Sequence, residues 1–370
     1  MIVALFTELA AGGGVQRAGR LTAAALTSFA ARHGEKCILL SLNDPLHAPP
    51  LRVGSQDIVF TGFAHSKAAF VVSAVRGALQ GPRIVIALHP HLAPVVAAMK
   101  VFASRSRAVV FAHGIEVWTP LGRIRRYALR RSDVVLAPSS DTARQVAMQQ
   151  GVSAGKIQKL AWSLGPEFDP SAAPSEAAHG PEGFPRGPVI LTVGRWDAGE
   201  AYKGVDHLIA ALPALLKEVP DLQLVAIGGG TDLPRLKQCA EQSGVVQRVH
   251  FLGPMKPEAL SAAYSACDVF ALPSGGEGFG LVFLEAMAHA KPVIGGAHGG
   301  TPDIVEEGVT GYLVQHGDVP QLTLRLKELL TDEASRRQMG GRAFERVCRD
   351  FTFDRFERQL DKLLEVLVAS

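Results

Sequence analysis

Short apolar runs that do not alternate with polar residues recur along this chain, separated by helical stretches. In the first half they are IVALF at 2–6, CILLSL at 37–42, IVIAL at 84–88, AVVFA at 108–112 and VVLA at 134–137. In the second half they are VILTVG at 189–194, LQLVAIG at 222–228, VHFLG at 249–253, DVFALP at 268–273, PVIGG at 292–296 and GYLV at 311–314. A strand with one wet face alternates, whereas continuous apolarity means burial on both faces, as in a parallel sheet covered by helices. The rhythm predicts two doubly wound α/β domains of Rossmann-like build, and 370 residues are too many for one ordinary domain. Two such sheets facing one another leave a cleft at the carboxyl ends of their strands, where ligands of open α/β sheets bind.

The boundary falls in GPEFDPSAAPSEAAHGPEGFPRGP at 165–188, dense in Pro, Gly and Ala and without apolar periodicity. The first domain is expected at 1–168, the linker proper at 169–187 and the second domain at 188–352. From Phe351 the segment FTFDRFERQLDKLLEVLVA has helical apolar spacing and predicts a terminal amphipathic helix, residues 353–370 returning to the first domain. No short repeat is present, which excludes a solenoid. The start, MIVALFTELAAGGG, has no basic n-region and is broken by Glu8, so it reads as a buried strand rather than a signal peptide. No run approaches the roughly 20 apolar residues that cross a bilayer. Cys37, Cys239, Cys267 and Cys348 are widely spaced without a CxxC pair, against a zinc module or disulfide scaffold and in keeping with a reducing compartment. The expected location is the cytoplasm, free or peripheral on the cytoplasmic membrane face.

The densest chemistry is in PSGGEGFGLVFLEAMAHAKPVIGG at 273–296. It follows the run DVFALP and opens a helix near Gly280, so Gly275, Gly276, Gly278 and Gly280 crowd the turn at a helix amino terminus. Unpaired N–H groups and the positive end of the helix dipole make such a turn an anion site, and glycine lets a phosphate reach the backbone. Two carboxylates frame it. Glu277 precedes the helix and Glu285 lies about five residues inside, roughly 7 Å further along the axis at 1.5 Å per residue. That separation suits two parts of one extended ligand, such as hydroxyl-bearing sugars on either side of a pyrophosphate. The bland alternative makes Glu277 a solvated loop residue and Glu285 a surface helix residue.

With DVFALPS before it and EAMAHAKPVI after it, the Glu277 and Glu285 pair resembles the signature of the family 4 retaining glycosyltransferases of the GT-B fold. The likeness continues across 187–320 through VGRW, YKGVDHLIAALP, LVAIGGG, VHFLGPM and GGTPDIVEEGVTGYLV in the family's order. It is looser in the first half, through the Gly loop, AHGIE and APSSDTARQ. The resemblance implies roles by position. Glu277 hydrogen-bonds the transferred sugar, the backbone at Gly278, Phe279, Gly280, Leu281 and Val282 meets sugar hydroxyls and the distal phosphate, and Glu285 grips the ribose. Arg195 and Lys203, in GRWDAGEAYKG, neutralise the pyrophosphate, whose charge grows as the glycosidic bond breaks, so fixed cations lower that barrier. The alternative is a pair of ordinary surface cations. The stretch between Arg195 and Lys203 is longer than in the simplest family members. Base identity falls to backbone near Phe251 to Met255 and Gly228 to Gly230, which leaves UDP and GDP both open.

In the first half, AAGGGVQRAGR at 10–20 joins the first strand to the first helix, and Gly12, Gly13 and Gly14 resemble the family loop that closes over the donor phosphates. A dehydrogenase reading is weaker, because the run lacks GxGxxG spacing and no acidic residue about 20 positions on is cleanly placed to hold a ribose. His113 follows another strand where the family often has a histidine near the sugar's primary hydroxyl; a hydrogen-bonded strand-end histidine is the alternative. No Asp-x-Asp occurs, so no divalent metal or other cofactor is expected and the donor's charge is left to Arg195, Lys203 and helix termini. No enzyme nucleophile is evident beside the sugar, and the resemblance implies front-face attack with the departing phosphate taking the acceptor's proton.

Net charge is only +3, but residues 1–170 hold 19 Lys and Arg against 9 Asp and Glu, and the remainder 19 against 26. A basic first half suggests an acidic partner. GRIRRYALRRSD at 122–133 concentrates the charge in Arg123, Arg125, Arg126, Arg130 and Arg131, with Ile124, Tyr127 and Leu129 interleaved. It reads either as a solvated helix face or as a contact for anionic lipid headgroups, with Trp118 and Leu121 dipping into the interface. Nucleic acid is disfavoured, for no RNA or DNA module is present and aromatics are 6%. The leading expectation is an enzyme moving a hexose from a nucleotide diphosphate sugar to a glycan or lipid-linked acceptor in cell-surface polysaccharide or glycolipid assembly. A non-catalytic sugar-nucleotide sensor or assembly subunit with the same fold competes with it. A phosphorylase of the same fold would need a pyridoxal phosphate lysine and a much longer chain.

Overall fold

The computed structural model describes residues 1–172 and 180–369, so part of the expected linker lies outside the described residues. The chain forms two compact units, one of Met1–Phe168 with Thr352–Ser370 and the other of Asp169–Phe351.

The first unit runs β1 (Ile2–Phe6), α1 (Gly14–Arg32), β2 (Cys37–Ser41), β3 (Leu51–Val53), β4 (Gln56–Ile58), β5 (Thr61–Gly62) and α2 (Lys67–Ala78). It continues through β6 (Ile84–Ala87), α3 (Ala93–Phe102), β7 (Arg107–Phe111), α4 (Arg123–Arg131), β8 (Val134–Ala137), α5 (Ser140–Gln150) and β9 (Ile157–Lys159). Its main sheet is parallel with order β5-β2-β1-β6-β7-β8-β9, while β3 and β4 form a separate hairpin. Every residue of β1, β6 and β8 is buried, which is why their sequences carry no polar alternation. Each large aliphatic side chain so buried contributes about 1.5–3 kcal/mol.

The second unit runs β10 (Val189–Val193), α6 (Val205–Leu215), β11 (Gln223–Ile227), α7 (Leu233–Gln242), β12 (Val249–Gly253), α8 (Pro257–Ala266) and β13 (Val269–Leu272). Then come α9 (Leu281–Ala288), β14 (Val293–Gly296), α10 (Thr301–Ile304), β15 (Gly311–Val314), α11 (Val319–Thr331) and α12 (Glu333–Asp350). Its sheet is parallel in the order β12-β11-β10-β13-β14-β15. The last helix, α13 (Phe353–Ala369), belongs to the first unit. Phe356, Leu360 and Leu364 form its buried stripe, it packs on α1, and Arg32 pairs with Glu357 and Asp361.

In both sheets the winding reverses once, between β1 and β6 and between β10 and β13. Consecutive connections leave those neighbours in opposite directions, which opens a crevice at their carboxyl ends. Every long apolar run of the sequence is a strand. The missing elements are the two- or three-residue strands LRV, QDI, TG and IQK, too short and too polar to carry a hydrophobic period. The terminal helix starts at Phe353, and Phe351 just before it is buried in the second unit against Phe279.

Candidate active site

The reversal in the second sheet is lined by the segment after β10, Gly194–Gly204, and by the turn after β13, Pro273–Gly280. Backbone bonds stitch the two together: the Gly275 N–H donates to the Tyr202 carbonyl at 2.7 Å. A third segment closes in from the other side, where the Gly300 N–H donates to the Glu277 carbonyl at 2.6 Å. Gly299, at φ 64°, lies so close that a Cβ would collide with the Glu277 backbone. Gly280 caps α9 at φ 102°, a left-handed conformation that only glycine adopts freely, and so aims the first turn of the helix. The amides of a first turn have no intrahelical acceptor, which is the property an anion uses. The Phe279 ring is buried and packs on Phe351, so this residue can meet a ligand only through its backbone.

Five charges converge at this reversal. Lys203 Nζ lies 3.3 Å from Glu277 Oε1 and 3.9 Å from Glu200 Oε2. Arg195 Nε is 3.1 Å from Asp197 Oδ2, and its Nη2 pairs closely with Glu200. The Glu277 side chain is only 12% exposed, which rules out a solvated loop glutamate. Burial pushes its carboxyl above the ordinary carboxylate range, and Lys203 opposes that push. Arg195 is 68% exposed, and its hydrogen bond to Glu200 raises its proton affinity further. Glu200 bridges the two cations and Glu277 holds Lys203 alone, so a diphosphate that took Lys203 and Arg195 would leave Glu277 to accept hydrogen bonds. Among the described residues no group of three or more His, Cys, Asp or Glu is placed to hold a metal ion.

Glu285 sits on the fifth position of α9, and Tyr264 on α8 donates its hydroxyl to Oε2 at 2.7 Å. The sequence pointed to Arg195, Lys203, Glu277 and Glu285 and missed Glu200 and Tyr264. Glu200 was legible as the acidic residue between the two cations of one loop. Tyr264 had no local signal, since a crossover separates it from Glu285.

The model of the family "Glycosyl transferases group 1" matches residues 175–346. A GDP-mannose-dependent alpha-(1-6)-phosphatidylinositol monomannoside mannosyltransferase of Mycolicibacterium smegmatis is 36% identical over 252 residues, 64% of this chain and 64% of that protein. Its namesake in Mycobacterium tuberculosis is 32% identical over 274 residues, 71% of this chain and 70% of its own length. The chain belongs to the group 1 glycosyl transferases. In three dimensions this glycosyltransferase matches the Anabaena protein HepE, crystallised with UDP, at TM-score 0.77 over 99% of both chains. At 20% identity that likeness is one of fold, the GT-B arrangement of two Rossmann-like domains.

The glycosyltransferase's first unit presents its glycine loop at the corresponding reversal. Asp44, 2% exposed, accepts from the Leu9 N–H at 2.7 Å, the Ala10 N–H at 3.1 Å and the Ser41 hydroxyl at 2.6 Å. Arg20 Nη1 donates to the Leu9 and Ala11 carbonyls at 2.7 and 2.9 Å. Asp44, the first acidic residue after β2, is thus spent on its own loop, which further weakens the dehydrogenase reading. Gly13, at φ 129°, caps α1, and the helix begins at Gly14.

His113 takes the form of the hydrogen-bonded strand-end histidine. It is 8% exposed, its Nε2–H donates to the Leu88 carbonyl at 2.5 Å, and its ring stacks between His89 and Trp162 at 5.7 and 5.4 Å. Nδ1 is the ring atom a sugar hydroxyl would have to meet. The arginine run forms α4, but its five members divide. Arg130 Nε donates to the Gln150 carbonyl at 2.6 Å and is tied to the end of α5. Leu121, expected to dip into a membrane, is instead buried in the core of the unit, with its N–H on Gln150 Oε1 at 2.9 Å. The apolar residues that do face outward are Ile124 and Tyr127 on α4, 75% and 64% exposed, with Val101 and Phe102 at the end of the adjoining α3.

Proposed function

We propose that this glycosyltransferase moves a hexose from a nucleotide diphosphate sugar, without a metal ion and with retained anomeric configuration, to a lipid-linked or glycan acceptor in glycolipid or cell-surface polysaccharide assembly. The observation that carries the reading is the Lys203–Glu277 pair, recessed at the sheet reversal, with Arg195 on the shared Glu200 and Glu285 on the helix that follows. Lys203 and Arg195 would hold the diphosphate, Glu277 the hydroxyls of the hexose and Glu285 the ribose. As the bond from the anomeric carbon to the distal phosphate oxygen breaks, the acceptor oxygen bonds to the carbon on the same face. The acceptor's proton passes to the departing phosphate oxygen, and the two cations stabilise the charge that develops there. The names of the mycobacterial relatives favour GDP-mannose among UDP- and GDP-linked donors.

No described helix is long and apolar enough to cross a membrane. We place the protein in the cytoplasm, peripheral on an anionic membrane face through Arg123, Arg126 and Arg131 beside exposed Ile124, Tyr127, Val101 and Phe102. Incubation with GDP-mannose, UDP-glucose and related donors, with mass detection of released or transferred sugar and EDTA as a control, tests the chemistry. Sugar release from one donor that survives EDTA is the expected result. Donors that bind and stay intact with every acceptor offered would favour the sensor reading instead. Sedimentation with anionic but not neutral vesicles, weakened by salt, tests the membrane face.

A further inference from the structure

The loop that carries Arg195 is fastened to the turn that follows β11. The Trp196 N–H donates to the Gly229 carbonyl at 2.9 Å, and the Trp196 carbonyl accepts from the Asp232 N–H at 2.8 Å. A Cβ at Gly230 would lie 2.1 Å from that same carbonyl oxygen, so the two backbones can meet this closely only at glycine. Asp197 completes the seam with its side chain. Its Oδ1 accepts from the Thr231 N–H at 3.1 Å, and the Thr231 hydroxyl lies 3.4 Å from the same oxygen. That hydroxyl in turn accepts from the Ala198 N–H at 3.1 Å. Oδ2 is left for Arg195 Nε at 3.1 Å. Asp197 thus keeps one oxygen on the scaffold and one on the guanidinium. Glu200 differs: its carboxylate meets Arg195 Nη2 and Lys203, and it accepts no hydrogen bond from a backbone N–H or a hydroxyl among the described residues.

We propose that Asp197, held by Thr231, is a positioning residue that keeps the Arg195 guanidinium in place by its Nε edge, while Glu200, the other carboxylate on that guanidinium, gives way to the donor diphosphate. The proposal rests on the transferase reading and assigns the two carboxylates of one loop opposite parts in it. The N–H groups of a guanidinium lie in one plane, so a carboxylate on Nε leaves those of Nη1 and Nη2 for two phosphate oxygens. Arg195 is exposed and sits on a flexible stem, and fixing one edge beforehand removes part of the ordering that anion binding would otherwise require. Glu200 has no such anchor, and its charge opposes an incoming anion. Asp197→Asn leaves a single acceptor oxygen, which can serve Thr231 or Arg195 but not both.

The test uses the full-length protein, with donor turnover and GDP and UDP affinity measured for the parent and each variant. Asp197→Asn should lower kcat about 10-fold, because the charge that Arg195 meets develops as the diphosphate departs, while KM for the donor moves by less than about 3-fold. Thr231→Val should change kcat in the same direction, and Thr231→Ser, which keeps the hydroxyl, should recover the parent value. Glu200→Gln should tighten nucleotide binding by about 3-fold, because one ion pair fewer has to open. Arg195→Lys closes a cycle: in that background Asp197→Asn should cost little more, since no guanidinium remains to be aimed. An equal cost with and without the guanidinium, or a Glu200→Gln protein that binds nucleotide more weakly, overturns the assignment. The Arg195 Nε–H resonance, identified by its loss in Arg195→Lys, gives a reading that needs no turnover. It should exchange slowly with water in the parent, with and without GDP, and quickly in Asp197→Asn; equally fast exchange in both proteins also overturns the assignment. Failure of every nucleotide to bind the parent counts against the donor reading, and the resonance of the free protein still decides whether Asp197 holds Arg195.

Discussion

The two sheet reversals are built alike and furnished differently. In the second unit the crevice between β10 and β13 holds Arg195, Asp197, Glu200, Lys203 and Glu277, charges paired with one another. In the first unit the crevice between β1 and β6 holds a glycine loop already bonded to Asp44 and Arg20, and a stack of rings running from His91 through His89 and His113 to Trp162. One end can exchange partners when an anion arrives, and the other is assembled before any ligand comes. The backbone topology therefore chooses where a ligand sits, while the side chains choose what kind of ligand and how much rearrangement its binding involves.

The largest expected effect is at the second reversal. Glu277→Gln keeps the shape of the side chain but removes the carboxylate, and turnover should fall by about 10²–10³-fold with donor affinity changing far less. A variant that kept most of its turnover would take Glu277 out of the chemistry. At the first reversal, Asp44→Asn turns an amide NH2 toward N–H groups that need an acceptor. It should lower stability by about 2–3 kcal/mol in denaturant melts while nucleotide affinity holds. A parallel loss of nucleotide affinity would break the division between the two ends.

Acid should separate the ends as well. His89 is neutral when folded, with its pKa pushed down to about 3 by burial first and then by His113, His91 and Arg125. The unfolded chain takes up a proton near pH 6.5 that the folded one refuses, so stability is full above that pH and falls below it. By pH 5 the loss is at most about 2 kcal/mol at 1.36 kcal/mol per unit, and His89→Gln should flatten the slope. Glu277 moves the opposite way, raised by burial, so the acid limb of kcat/KM should lie above the ordinary carboxylate range. Lys203 is the group that holds it down, hence Lys203→Met should carry that limb to still higher pH, and a limb that stays put would remove the coupling. The smallest effect expected is from Tyr264→Phe, which removes one hydrogen bond to Glu285 and should weaken nucleotide binding by about 3–10-fold.

Legibility followed the same division. Glu277, Glu285, Arg195 and Lys203 could be found in the sequence because the strand, glycine turn and helix that present them are local and ordered. Asp44, Arg20 and Tyr264 could not, because their partners lie 35, 11 and 21 residues away and nothing in the intervening chain marks them. His113 was visible, but its bond to Leu88, 25 residues earlier, was not. In the arginine run, spacing alone could not tell Arg130, tied to the Gln150 carbonyl, from exposed Arg125.

By itself the sequence determined the strands, two winding sheets and the place of the anion turn, because burial on both faces writes itself as continuous apolarity and a glycine turn as glycine. Tertiary structure decided which charges neutralise one another, which histidine is occupied and which arginines stay free to bind. Those outcomes depend on distances between residues that only crossover connections bring together, and electrostatic and hydrogen-bond energies change over a few ångströms while a linear pattern has no measure of them.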